Sequence, residues 1–133
     1  MSFLPRRTRI ALEHEGRLLD IEIVLATSFW GRLRGLILAG ALPPGTGLLL
    51  APCNNIHTLG MTEPIEAVFV SKDWRILKIS GPLKPWRAMS ACRGAWGVIE
   101  WAPGQATRLG LREGAQLTRL TVQPSSPSQE RTP

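Results

Sequence analysis

The chain has 133 residues, of which 44% are hydrophobic and 20% charged, and its formal net charge is +6. That length suits one domain with a core that needs no staples, and the composition excludes a disordered or collagen-like chain. Arg6, Arg7, Arg9 and Arg131 lie in the end segments, so residues 10–122, with twelve Lys/Arg against nine Asp/Glu, carry only +3.

In chain order, residues 1–7 read as a disordered arm. Their charges are not followed by the apolar run of a signal peptide. Thr8–Leu12 alternates and holds β-branched residues. Glu15-Gly16 is a turn signal, and Arg17–Leu25 completes a hairpin. Thr27 or Ser28 can cap a helix running to Ala39. On it Phe29, Trp30, Leu33, Leu36 and Ile37 share an arc of roughly 120°. Gly31 and Gly35 lie on the opposite side, either merely tolerated or admitting a second backbone.

Ala41–Gly47 is a Pro/Gly loop, and Leu48–Ala51 is apolar throughout, as in a buried strand. Pro43-Pro44 with Gly45 and Gly47 breaks the Leu36–Pro52 region, which therefore cannot cross a bilayer as one helix. Pro52–Asn55 has turn chemistry. Ile56–Met61 is compatible with an extended segment and Ile65–Val70 with a strand. Lys72-Asp73 is a turn, and Trp74–Ser80 alternates as the second arm of another hairpin. Gly81–Arg93 has little periodicity, holds Pro82 and Pro85, and reads as a functional loop. Trp96–Trp101 is a strand, Pro103–Leu109 a helical turn that starts at Pro, and Ala115–Val122 a last strand. Gln123–Pro133 is a disordered tail rich in Pro, Ser and charge.

Three blocks in order carry a resemblance. The first is Ala26-Thr27 with Arg32-Leu33-Arg34-Gly35-Leu36-Ile37. The second is Leu59-Gly60-Met61-Thr62-Glu63-Pro64-Ile65-Glu66-Ala67-Val68-Phe69. The third is Glu100-Trp101-Ala102-Pro103-Gly104 with Gly110-Leu111-Arg112-Glu113-Gly114-Ala115. From about Leu25 to Leu120 the chain resembles the DUF192 (UPF0127) family of prokaryotic proteins. The resemblance implies a compact, mainly β domain with one or two helices and implies no activity. Thr62 stands where that family has Lys or Arg, Glu66 where it has Asp, and Ala115 where it has a final Asp.

Cys53 and His57 invite a nucleophile–base reading. In an extended segment, however, they would lie about 13 Å apart. Cys53, His57 and Cys92 offer thiolate and imidazole ligands of the kind zinc takes, but from unrelated segments and without a zinc-finger spacing. Both cysteines read by default as buried thiols, reduced in a cytoplasmic setting. Glu63, Glu66 and Glu100 are the acids nearest the blocks. Glu100 should face solvent by alternation; facing inward it would need Arg or His57 as partner. Trp86 and Arg87 either rim a groove or, for Trp86, plug the core. A planar guanidinium suits carboxylate or phosphate, and indole gives an apolar face. No phosphate-binding or hydrolase motif is present.

The expected architecture is a single mainly β domain over residues 8–122, α+β at the margin. It is a small barrel-like antiparallel or mixed sheet, with helix Thr27–Ala39 over one opening. The expected function is non-enzymatic: a binding or accessory domain using Asn55, His57, Thr58, Met61, Trp86 and Arg87. Its guest would be a small anionic ligand or a protein segment, with no cofactor, no metal and no membrane span. His57 should lie beside the core and share a face with the Trp86-Arg87 loop. The alternatives are a thiol- or metal-dependent enzyme built on Cys53 and His57, and a basic nucleic-acid-binding module, which the lack of a Lys/Arg stripe alternating with aromatics disfavours.

Overall fold

A computed structural model describes residues 9–25, 45–58 and 61–122. The expected arm, the tail and the helix Thr27–Ala39 lie outside these residues. Strand β1 (Arg9–His14) turns into β2 (Arg17–Leu18) through Glu15 and Gly16, with φ of 53° and 78°. Two successive positive φ values match the right-handed twist of a two-residue hairpin, which is why Glu-Gly works there. β3 (Glu22–Leu25) continues along the same edge of β1, pairing Ile10 with Ile23.

β4 (Thr46–Leu50) lies parallel to β3, and every other strand pairing among the described residues is antiparallel. The remaining elements are β5 (Asn55–His57), β6 (Ile65–Val70), β7 (Ile76–Leu83), β8 (Met89–Ala91), β9 (Gly97–Trp101), the short helix α1 (Gln105–Arg108) and β10 (Leu117–Val122). The main sheet runs β10-β1-β3-β4-β9-β6-β7, and β5 pairs with β8 as a separate ribbon. Its two end strands approach each other: Arg75 bridges Gln116, and the Ile76 amide donates to Ala115 O at 2.8 Å. The sheet is therefore a curled, mixed half-barrel, mainly β as the sequence indicates.

Each face of the curl has its own apolar cluster. The inner one draws on Ile10, Leu12, Ile23, Leu49, Ile99 and Trp101, and α1 adds Ala106. The outer one is built from Val24, Leu48, Leu50, Ala67, Phe69 and Val98, and Ile56 of the ribbon seats on it. The ribbon is thus held by apolar burial against the back of the main sheet. Lys78 of β7 reaches the same layer. Its ammonium sits 5.9 Å from the Phe69 ring centroid and donates to Ala91 O of β8 at 2.9 Å.

Three expectations are corrected. The segment Gly81–Arg93 is not one loop: Gly81–Leu83 extends β7, and Met89–Ala91 forms β8. Pro82 falls where the β6–β7 register slips, on an end strand that does not need its missing donor. Alternation along Trp74–Ser80 also fails. A register shift between Phe69 and Val70 puts both Ile76 and Ile79 on the inner cluster. Finally, Glu100 does not face solvent. It is fully buried, opposite Leu48 and Ala67. β9 lies between β4 and β6 with both faces covered, and a doubly covered strand has no wet side for a carboxylate to alternate toward.

Candidate functional site

The site begins with one hydroxyl. Thr58 follows β5 and is fully buried. Its Oγ1 lies 2.7 Å from Lys84 O and 3.2 Å from Ala88 O, and it accepts the Ala88 amide at 2.9 Å. A hydroxyl has one proton to donate, so the nearer Lys84 carbonyl is the better acceptor. The backbone repeats the tie: Thr58 N donates to Ala88 O at 2.9 Å, and Trp86 N donates to Thr58 O at 2.8 Å. The Lys84–Ala88 turn is thereby fastened to the end of β5.

Fastening constrains the backbone at Trp86. Its φ is 71°, a left-handed conformation that is an outlier for a bulky side chain. Such a conformation persists only when its surroundings over-determine it, and the Thr58 bonds supply that constraint. The indole is 59% exposed, so Trp86 does not plug the core.

The ribbon itself has two distinct faces. Asn55 pairs with Ala91, Ile56 with Ser90 and His57 with Met89. Ile56 and Ser90 are buried, whereas Asn55, His57, Met89 and Ala91 are all exposed. Ser90 Oγ donates inward to Ser80 Oγ at 2.8 Å. Bonds from Cys92 N to Asn54 O and from Thr58 N to Ala88 O place the hydrogen-bonded pairs at 54/92, 56/90 and 58/88. Positions 55/91 and 57/89 are then non-hydrogen-bonded pairs, whose side chains stand closest together. His57 and Met89 are therefore neighbours on the outer face.

Of the six expected site residues, four lie at the surface of this unit: Asn55, His57, Trp86 and Arg87. Thr58 is a buried organiser, and Met61 is buried in the outer cluster. Sequence reasoning missed Met89, which at 75% is the most exposed large hydrophobic residue among the described residues. Nothing in its neighbourhood signalled it, because a three-residue strand has no readable period.

The other candidate groups have structural partners. The Cys53 thiol donates to Asn55 O at 3.1 Å, while Cys92 Sγ lies 3.7 Å from Arg93 O. Both thiols are free and half-buried against the outer cluster. The Glu66 carboxylate accepts from Trp101 Nε1 at 2.8 Å, Gly104 N at 3.0 Å and Ala106 N at 2.9 Å. It anchors the turn into α1. Among the described residues, no three His, Cys, Asp or Glu side chains converge as metal ligands, and no helix is long and apolar enough to cross a membrane. A separate open cavity of about 520 Å³ lies between His14-Glu15 of the first turn and the Gly110–Ala115 loop, with Arg112 and Glu113 in its wall.

A mainly β half-barrel bearing a pinned ribbon is the class of protein this geometry defines. The DUF192 profile, described as "Uncharacterized ACR, COG1430", matches residues 10–119. The chain belongs to the DUF192 family. No curated protein matches it. A protein of Sinorhizobium meliloti 1021, described as a "putative transcription regulator", has a similar structure with a TM-score of 0.73. That likeness spans 90% of this chain and 98% of the other at 23% identity. A protein of unknown function from Novosphingobium aromaticivorans DSM 12444 superposes with a TM-score of 0.69, at 19% identity over 84% of each chain. At these identities the two structures speak for the shared fold.

Removing the organising hydroxyl gives the first expected result. Thr58→Val keeps the shape but leaves Ala88 N and Lys84 O without that partner. The expected loss is about 1–3 kcal/mol, the range for a buried group left unpaired. Trp86 fluorescence should also shift as its turn loosens. Denaturant unfolding with an unchanged midpoint and an unchanged Trp86 signal would remove Thr58 from this role.

Proposed function

We propose that the protein is a non-enzymatic binding or accessory domain whose working surface is the outer face of the β5–β8 ribbon with the Trp86-Arg87 turn. The observation that carries this reading is Trp86 itself, exposed and held in a left-handed backbone by Thr58. Large apolar side chains singly exposed need no explanation. An exposed Trp in a costly conformation, in the turn that leads into the strand of an exposed Met, is better explained by use than by packing. The guest is anionic, since Lys84, Arg87 and Arg93 are exposed there and residues 53–58 and 83–95 contain no Asp or Glu. His57 stands exposed on the same face of the ribbon as Met89.

The enzyme alternative finds less support. The Cys53 thiol spends its hydrogen bond on a backbone carbonyl, and the Glu66 carboxylate is consumed by three N–H donors. His57→Ala is expected to stay within about 1 kcal/mol of wild type in thermal unfolding, as surface substitutions do. The companion measurement titrates inorganic tripolyphosphate and short acidic peptides while following Trp86, Met89 and His57 by NMR. Shifts confined to those residues, and weakened in His57→Ala, are the expected result. Shifts that map instead to the His14–Arg112 cavity would defeat the assignment of the surface, as would a His57→Ala loss above about 3 kcal/mol, the mark of a buried network.

A further inference from the structure

The ribbon also indicates what kind of anion it holds. Small-molecule sites enclose most of their ligand's surface. Here Trp86, in the turn, and Met89, on the open two-stranded face, stand 59% and 75% exposed, an arrangement that cannot wrap a small ion. The face is extended instead: Asn55 and Ala91 pair beside His57 and Met89, and the exposed Trp86-Arg87 turn is tied to its end through Thr58. A single-stranded nucleic acid would want successive aromatic platforms. This face has one exposed aromatic, and its second apolar group is a thioether, a flexible side chain that adapts to varied protein surfaces. Its exposed charges, Lys84, Arg87 and Arg93, are all positive; the nearest carboxylate in sequence on the β5 side is Glu63, in the connection before β6.

We propose that the outer face of the β5–β8 ribbon docks an acidic protein segment carrying a large apolar anchor residue. The anchor packs on Trp86 and Met89, and the segment's carboxylates pair with Lys84, Arg87 and Arg93. Arg87 suits that role because its planar fork takes a carboxylate in two parallel bonds. Trp86 supplies a broad rigid surface at little entropic cost, as anchors at protein interfaces do. This inference rests on the ribbon being the working surface.

The test pans a library of short random peptides on the full chain and, in parallel, on a Trp86→Gly/Met89→Ser variant. Glycine suits the φ of 71° at position 86, so the variant should melt no lower than wild type. The expected peptides are acidic, contain an aromatic or aliphatic anchor, and are recovered on wild type alone. Synthetic copies should bind the variant about tenfold or more weakly, as loss of an interface anchor implies. They should also bind less tightly as salt rises, and an Arg87→Glu/Arg93→Glu variant should lose them. Equal recovery on both proteins, or peptides that are neutral or basic, would overturn the proposal. Two further probes separate it from the broader reading: tripolyphosphate and a thymidine oligonucleotide. If either moves the Trp86 and Met89 NMR signals while no acidic peptide is recovered, the segment is wrong and the surface stands. If no probe moves them, both readings fall.

Discussion

Glu66→Ala is expected to lower the unfolding free energy by about 3 kcal/mol or more, since it leaves three N–H donors without their acceptor at roughly 1–3 kcal/mol for each buried one. The carboxylate is 7% exposed and accepts from an indole N–H and two backbone amides. Hydrogen bonds to a charged acceptor are worth more than neutral ones, and each donor left behind keeps its desolvation cost. Trp101 is fully buried, so its indole has no water to turn to. The short helix α1 offers no side-chain cap of its own, because Gly104 occupies its N-cap position. Glu66 supplies that missing acceptor from 38 to 40 residues away. Glu66→Gln should cost less, since its amide oxygen still accepts, though its NH₂ group then faces donors. Chemical denaturation of both variants checks the ordering. A Glu66→Ala protein within about 1 kcal/mol of wild type would mean that the three bonds are replaced on mutation.

Phe69→Ala should cost a comparable 3–5 kcal/mol or so, as expected for a buried aromatic cut to a methyl. Phe69 is fully buried at the centre of the outer cluster, between Lys78 and Val98 on the flanking strands. The loss combines transfer of the ring with the cavity it leaves. A second consequence is specific to this fold. The ring lies under the Lys78 ammonium, which also holds Ala91 O of the ribbon. Emptying the Phe69 site should therefore loosen β8 as well as the core. Hydrogen exchange at Ser90 and Cys92 reports the ribbon, and the unfolding midpoint reports the core. Phe69→Leu should recover much of the stability. A near-normal midpoint for Phe69→Ala would show that the outer cluster repacks to fill the site.

The two variants bear on how much of the molecule could be read before folding. Ile65–Val70 announces itself as a strand, and its observed bounds are the expected ones. The two-residue turn at Glu15-Gly16 was equally plain, because the hairpin geometry demands residues that tolerate positive φ. Asn55 and His57 were expected on one face from strand parity, and the ribbon places them so. Parity failed where its physical premise failed. Alternation presumes one wet face, and β9 has none, so Glu100 is buried. Along β7, the register shifts reset the parity from which Trp74–Ser80 had been read.

By itself, then, the sequence determined the family, the mainly β class, most strand positions and the pairing of Asn55 with His57 on one surface. Those features depend on local chemistry: turn residues, β-branched runs and a two-residue period. Tertiary structure alone decided that Met89–Ala91 is a strand, because only pairing with β5 and burial of Ser90 hold it extended. It decided that Thr58 organises the Trp86 turn, through hydrogen bonds spanning 26 and 30 residues. And it decided that Glu66 is an anchor, since its three donors come from β9 and the start of α1. A polar side chain reads alike in sequence whether it meets water, a ligand or a distant backbone amide. Which of these it meets is settled when the sheet curls and the chain's far segments are brought against it.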